Sequence, residues 1–343
     1  MKLTSFCLGI GLTICFFLSS CSEKKAADGS SKRALKLTIN HLENAFQQAK
    51  SIHEMDSILL ANPDVLEVYF KTKKSQSAAL ANSLFQIYQH KEFQKFLLQS
   101  KESSFFGKNN WEKQLETALM EISKQYPNSK LPKVKTVFTG FGGAGQFAAQ
   151  HAIVTDSLII IGLDYFMGSR GLFLPPDVYD YQIKRLEPNG IVGQIMVLYS
   201  NYFNKHDDRN RTLLSDMIWY GKSYYFAKKL IPEIPDSTLF GYSQAELEGA
   251  NKFQDLIWEH FVANSLFYKK DEFLKTKYVG ERPKTPEIGP ACPGSIGRWL
   301  GYTIVNHYQS KFPNKTLLEI MNISDAEQLL RDSDYRGKGN SKE

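Results

Sequence analysis

Cys21 stands in the setting with the clearest chemical meaning. It follows Leu18-Ser19-Ser20, at the end of an apolar run from Phe6 to Leu18 that begins behind Lys2. The run suits an export signal and falls short of the roughly 20 apolar residues that a membrane-spanning helix needs. A branched aliphatic, two small residues and a cysteine resemble the bacterial lipobox, where the thiol takes a diacylglycerol and cleavage makes the cysteine the new N-terminus. Residues 1–20 are expected to be a signal peptide and Cys21 the lipidation site. Cys7 and Cys15 leave with the signal, so Cys292 is the thiol expected in the folded body. Neither an intramolecular disulfide nor a cysteine-based metal site is expected.

Other motifs begin well and then fail. Gly140-Phe141-Gly142-Gly143-Ala144-Gly145 spells G-x-G-x-x-G after a predicted strand, with Asp164 placed where a ribose-binding acid would sit. The stretch before the next strand is too short for a crossover helix, so a glycine-rich loop joining neighbouring strands fits better. His53-Glu54 starts H-E-x-x-H, but Ser57 occupies the second ligand position, and Leu256 spoils the inverted motif ending at Glu259-His260. Pro293-Gly294-Ser295-Ile296-Gly297 lacks the first glycine of a nucleophile elbow and has no strand before it. Ser295 reads instead as a helix N-cap, ahead of a buried face at Ile296, Leu300, Ile304 and Val305, with Gly297 and Gly301 allowing close approach. Cys292 lacks a recognisable histidine partner and reads as a structural thiol. Trp219, Tyr220, Ser223 and Phe226 could stack on sugars or peptides, but their helical spacing favours a core face.

Positioning these residues takes an ordered set of elements. Leu35–Ile39 alternates like a strand, and helical spacing follows through Leu42, Phe46, Ala49 and Ile52. Helical patterns continue over Pro63–Lys71, Ala78–Gln89, Glu92–Leu98 and Trp111–Tyr126. Val134, Thr136–Thr139 and Leu158–Ile161 read as strands, with Val154-Thr155-Asp156-Ser157 as a turn. Helices return at Ile191–Phe203, Leu213–Leu230, Gln244–Phe267, Ile296–Tyr308 and Ser324–Leu330, with caps expected at Ser243 and Ser324. The fold class is therefore α+β: one mostly helical domain over residues 34–335 with a small central sheet. Residues 21–33 form the lipidated N-terminus and a polar tether, and 336–343 a tail.

Composition agrees with an exported globular body. With 42% hydrophobic residues over 343, the chain can bury a sizeable core. The net charge of +6 comes from scattered Lys and Arg among Asp and Glu, which is not a nucleic-acid footprint. No nucleic acid, cofactor or metal is expected.

Several phrases, in order, resemble the gliding-motility lipoprotein GldB family of Bacteroidota. They are Gly162-Leu163-Asp164-Tyr165-Phe166-Met167-Gly168, Pro175-Pro176-Asp177-Val178-Tyr179-Asp180-Tyr181 and Asp216-Met217-Ile218-Trp219-Tyr220-Gly221-Lys222. Ile257-Trp258 and Cys292-Pro293-Gly294-Ser295-Ile296-Gly297-Arg298-Trp299-Leu300-Gly301 continue the series. The resemblance implies a part in the envelope apparatus for gliding and the linked type IX secretion machinery. The family is also distantly similar to zinc peptidases with H-E-x-x-H on one helix and a downstream Glu-Gly. In this chain Ile195-Met196-Val197-Leu198 holds no ligand and Tyr220-Gly221 replaces Glu-Gly, which implies a zincin-like scaffold without its metal site.

Two functions from different classes follow. The first is a non-catalytic lipoprotein that binds envelope proteins of the gliding and secretion apparatus. Arg170, Leu172, Phe173 and Leu174 are its candidate contact residues, in a loop that mixes apolar residues with turn formers. The second is a periplasmic hydrolase of peptide or peptidoglycan that brings Asp156, Asp164, Glu187, His206 or Asp207 together. Ser22 after Cys21 suits outer-membrane sorting. The absence of an acidic cluster in Glu23-Lys24-Lys25 suits a periplasm-facing domain.

Overall fold

The computed structural model describes residues 37–107, 110–127, 129–141, 150–176 and 178–337. Cys21, the tether and the glycine motif from Gly142 to Gly145 lie outside the described residues.

The chain enters as strand β1 (Ile39–His41), two residues past the centre of the alternation that predicted it, and turns at once into α1 (Leu42–Gln48). α1 stops short of Ile52, where the expected spacing runs on, and a separate helix that the spacing does not predict, α2 (Ile52–Ala61), begins there. α3 (Ser77–Gln89), α4 (Lys91–Ser100) and α5 (Trp111–Gln125) follow close to their predicted spans. Pro63–Lys71 contains a π-helical turn at Val65–Tyr69 rather than a regular helix.

The sheet adds β2 (Lys133–Val137), β3 (Ala152–Val154) and β4 (Leu158–Gly162), in the order β1-β2-β4-β3. β2 runs parallel to both β1 and β4, with Val134 opposite Ile159 and Thr136 opposite Ile161, while β3 is antiparallel to β4. Ile159, Ile160 and Ile161 are all fully buried, so β4 is covered on both faces, as parallel strands require. β3 is too short to signal itself, and the expected turn at Asp156-Ser157 closes its hairpin through Thr155 N–H donating to Leu158. The glycine-rich segment thus leads from β2 to β3, which is two strands away in the sheet; β2's neighbour on that side is β4.

Beyond the sheet come the short α6 (Asp180–Ile183), then α7 (Ile191–Tyr199), α8 (Leu213–Leu230) and α9 (Asp236–Phe240). The predicted helix from Gln244 to Phe267 is broken at Phe253 into α10 (Gln244–Lys252) and α11 (Gln254–Ala263), and Ser265 then adopts a left-handed conformation. α12 (Glu272–Val279), α13 (Ile296–Lys311), α14 (Leu317–Met321) and α15 (Ala326–Ser333) complete the chain. The α+β class, mostly helical with a small sheet, is as expected.

Two predicted caps differ from the structure. Ser243 does form a capping box with Glu246, but α15 is capped by Asp325, whose carboxylate accepts from Gln328 N–H, rather than by Ser324. Ser295 is left-handed, and its hydroxyl donates to Gly280 O at 2.6 Å, so it ties α13 to the preceding segment instead of capping it.

α8 is the central helix, buried on most of its faces. It crosses α13 where Gly221 lies against the Gly301 backbone and Gly301 against the Met217 carbonyl, leaving no room for a Cβ at either glycine. Ile296, Leu300, Ile304 and Val305 form the buried face of α13 as expected. Lys222, also buried, extends its ammonium to the main-chain oxygens of Lys205, Met321 and Ile323. Three carbonyls match its three N–H donors and pin α8 to the segments on either side of it.

Candidate functional site

The loop proposed for partner contact leaves the helical turn Leu163–Arg170 at Gly168, whose φ of 65° needs a residue without a Cβ. Glu187 lies against that glycine and accepts from both the amide and the hydroxyl of Ser169, each at 3.0 Å. From the other side, the Gln99 side chain of α4 donates to Arg170 O and accepts from Leu172 N–H. Arg170 lies over the Phe105 ring, and Phe173 meets Phe96 edge-on. Despite these ties, Leu172, Phe173 and Leu174 remain 48%, 43% and 44% exposed. The loop is therefore held in shape while it presents three apolar side chains outward.

Of the residues considered for acid-base work, Asp156, Asp164 and Glu187 lie in three different places, and His206 and Asp207 lie together in a fourth. Asp156 is exposed in the β3–β4 hairpin turn. Asp164 is fully buried, and its Oδ2 accepts from Thr139 N–H, Thr139 Oγ1 and Phe141 N–H, so it braces the turn after β2. Burial raises its pKa, against those hydrogen bonds. Glu187 braces the contact loop. His206 and Asp207 share a cavity rim, but His206 faces Asp208 at 2.9 Å and Asp207 accepts from Arg209. Among the described residues, no group of three or more His, Cys, Asp and Glu could hold a metal. Cys292 is half-buried, and burial pushes its thiol up to about 12, away from nucleophile chemistry.

Trp219 and Tyr220 depart from the expected core face. Ser223 and Phe226 are buried, but Trp219 and Tyr220 form a ridge between two cavities of about 300 and 470 Å³. Into the smaller one project Gln194, Val197 and Leu198 of α7, together with Arg185, Arg298 and Glu281. Arg185 grips Glu281 through both guanidinium nitrogens, at 3.0 and 2.6 Å, and Arg298 binds the same carboxylate at 2.8 Å. Arg298 also stacks on Tyr220, 4.3 Å from its ring centre. Burial would raise Glu281, yet the two arginines hold it down at about 2. On the same wall His151 is lowered to about 4, by burial and then by Arg185, so it is neutral at physiological pH. Sequence reasoning missed Arg185 and Arg298, because their meeting depends on segments that lie far apart in the chain.

Among the described residues, no helix is long and apolar enough to cross a membrane. No curated protein and no solved structure matches the chain. A family model does match, described as gliding motility protein GldB and covering residues 22–337. That span includes the sheet, the braced loop and the α8–α13 crossing, and with it the chain belongs to the GldB family of gliding-motility lipoproteins.

Proposed function

We propose that this chain is a lipid-anchored, non-catalytic component of the gliding-motility and type IX secretion machinery, working through contacts with other envelope proteins. Family membership supports the process. The observation that carries the mode of action is the loop at Arg170–Leu174, rigidly braced yet exposing three apolar side chains. Such a patch is an interface device rather than a catalytic one. The engagement of Asp164 and Glu187 with loop amides, apart from each other and from Asp156 and the His206–Asp207 pair, supports the same reading.

Cys21 carries the lipid in this proposal, with the domain facing the periplasm from the outer membrane. Palmitate labelling and membrane fractionation test the anchor: Cys21→Ser should lose the label and leave the membrane fraction. Deletion from a gliding bacterium tests the process. Spreading and secretion should both fail, and their full retention would sink the proposal.

A further inference from the structure

The two cavities that meet at the Trp219–Tyr220 ridge are both lined by those two residues, and their volumes of about 300 and 470 Å³ are those of small-molecule sites. Tyr220 is covered by Arg298 and meets the indole of Trp219 at 81°. No stacked ring and no cation lies against Trp219 among the described residues, and its ring N–H has no acceptor there. The half-buried indole thus offers the cavities an apolar surface and a hydrogen-bond donor. Other unused polar groups line the smaller cavity. Asn201 is exposed, and its side chain has no hydrogen-bond partner among the described residues. Gln194 donates its amide N–H to Leu239 O and keeps its side-chain oxygen free. Glu281 accepts three hydrogen bonds from Arg185 and Arg298, which leaves about one of its roughly four acceptor positions open.

The charges limit what can enter. Both arginines of the smaller cavity are already committed to Glu281, so an anion finds no free cation there. The larger cavity sets Asp207, Asp208, Asp216 and Glu272 against Arg211 and Lys275, which disfavours an anion as well. Lys275 is itself held by Asp216 at 2.9 Å and Glu272 at 3.0 Å. A cation drawn to the larger cavity would meet the arginines of the smaller one. A ligand that spans both is therefore uncharged and polar. A peptide would add itself to a strand edge, and no residue of β1–β4 lines either cavity.

We infer that the ridge is a binding site for a neutral saccharide. One sugar ring lies on the Trp219 indole in the smaller cavity, its hydroxyls meeting Asn201, Gln194 and Glu281, and the next sugar continues into the larger cavity. A sugar ring combines a face of C–H groups, which packs on an aromatic ring, with hydroxyls that both donate and accept. That combination matches the unused groups at the ridge, whereas an apolar ligand would bury them unpaired. No residue of Arg170–Leu174 lines either cavity, so the site is separate from the proposed partner contact and goes beyond it.

The test titrates the full-length chain, in a detergent without a sugar headgroup, with cellotriose and with tri-N-acetylchitotriose, read by tryptophan fluorescence and by calorimetry. At least one trisaccharide should bind with a Kd of about 1 mM or tighter and shift the emission. Binding should be equal at about 50 and about 300 mM salt, since no net charge is matched. Trp219→Ala should weaken it by about tenfold or more, and Trp219→Phe by less. Asn201→Ala, at an exposed position whose change leaves folding intact, should weaken it by about threefold. Thermal unfolding verifies that each variant is folded. No binding of either trisaccharide at about 10 mM would overturn the inference. Binding that Trp219→Ala and Asn201→Ala both leave unchanged, or that salt abolishes, would also overturn it. Trialanine is titrated alongside, and tighter binding of that peptide than of either sugar would reject the saccharide. Any of these failures leaves the deletion phenotype untouched, so it is distinguishable from failure of the proposed function.

Discussion

Asp164 accepts three hydrogen bonds from the segment that follows β2, and two of them come from main-chain amides. Asp164→Ala would leave those amides buried and unpaired, so we expect a loss of about 2–4 kcal/mol, read from the urea midpoint. An unchanged midpoint would mean that the turn does not depend on this carboxylate. Lys222 invites a parallel test. Lys222→Met fills a similar volume but strips three main-chain oxygens of their donor, and Tm should fall by several degrees. Cys292 should react slowly with a maleimide at neutral pH in the folded chain and completely in denaturant, because burial holds its thiol in the neutral form. The residue types of Asp164 and Cys292 are visible in the sequence, but their roles are not. Asp164 stands at the spacing of a ribose ligand, and only the fold shows that its Oδ2 is already taken by Thr139 and Phe141.

Helices with a strong apolar repeat were legible in advance: α3, α5, α8 and α13 lie almost where spacing puts them. Spacing does not reveal which face of α8 remains open, because a helix buried on most sides carries apolar residues all round. Helical spacing alone therefore places Trp219 and Tyr220 in the core. The break at Phe253 was also hidden, since the apolar pattern runs through it and no Gly or Pro marks the site. Gly301 is the point of close approach that its place on the apolar face of α13 predicts. Gly301→Val should force α8 and α13 apart and cost about 3 kcal/mol or more, measured by thermal unfolding. Near-normal stability would contradict the crossing. Ionic ties between elements have a pH signature. Glu246 and Glu281 sit at about 2 in the folded chain against an ordinary 4.5, so their contribution is complete above about pH 4.5 and is lost as pH falls toward 2. Stability measured in urea should drop across that window. Glu281→Gln should flatten the drop, whereas an identical slope would show that the arginine pair adds nothing.

At the scale of the whole molecule, the family was legible because its phrases mark places where segments meet. Gly162–Gly168 leads into the braced loop, Trp219-Tyr220-Gly221 supplies both the cleft ridge and a helix crossing, and Gly297–Gly301 supplies the partner of that crossing. The exposure of Leu172, Phe173 and Leu174 could not be read the same way, since it depends on Gln99, about seventy residues away, and on Glu187. The central claim is that this chain acts through a shaped surface held near a membrane. Affinity capture with the Phe173→Asp chain, expressed at normal level and with normal Tm in a gliding bacterium lacking its own copy, tests that claim most directly. The account predicts that the wild-type chain brings down an envelope protein, that Phe173→Asp loses it, and that spreading fails with it. Capture and spreading at wild-type levels would contradict it.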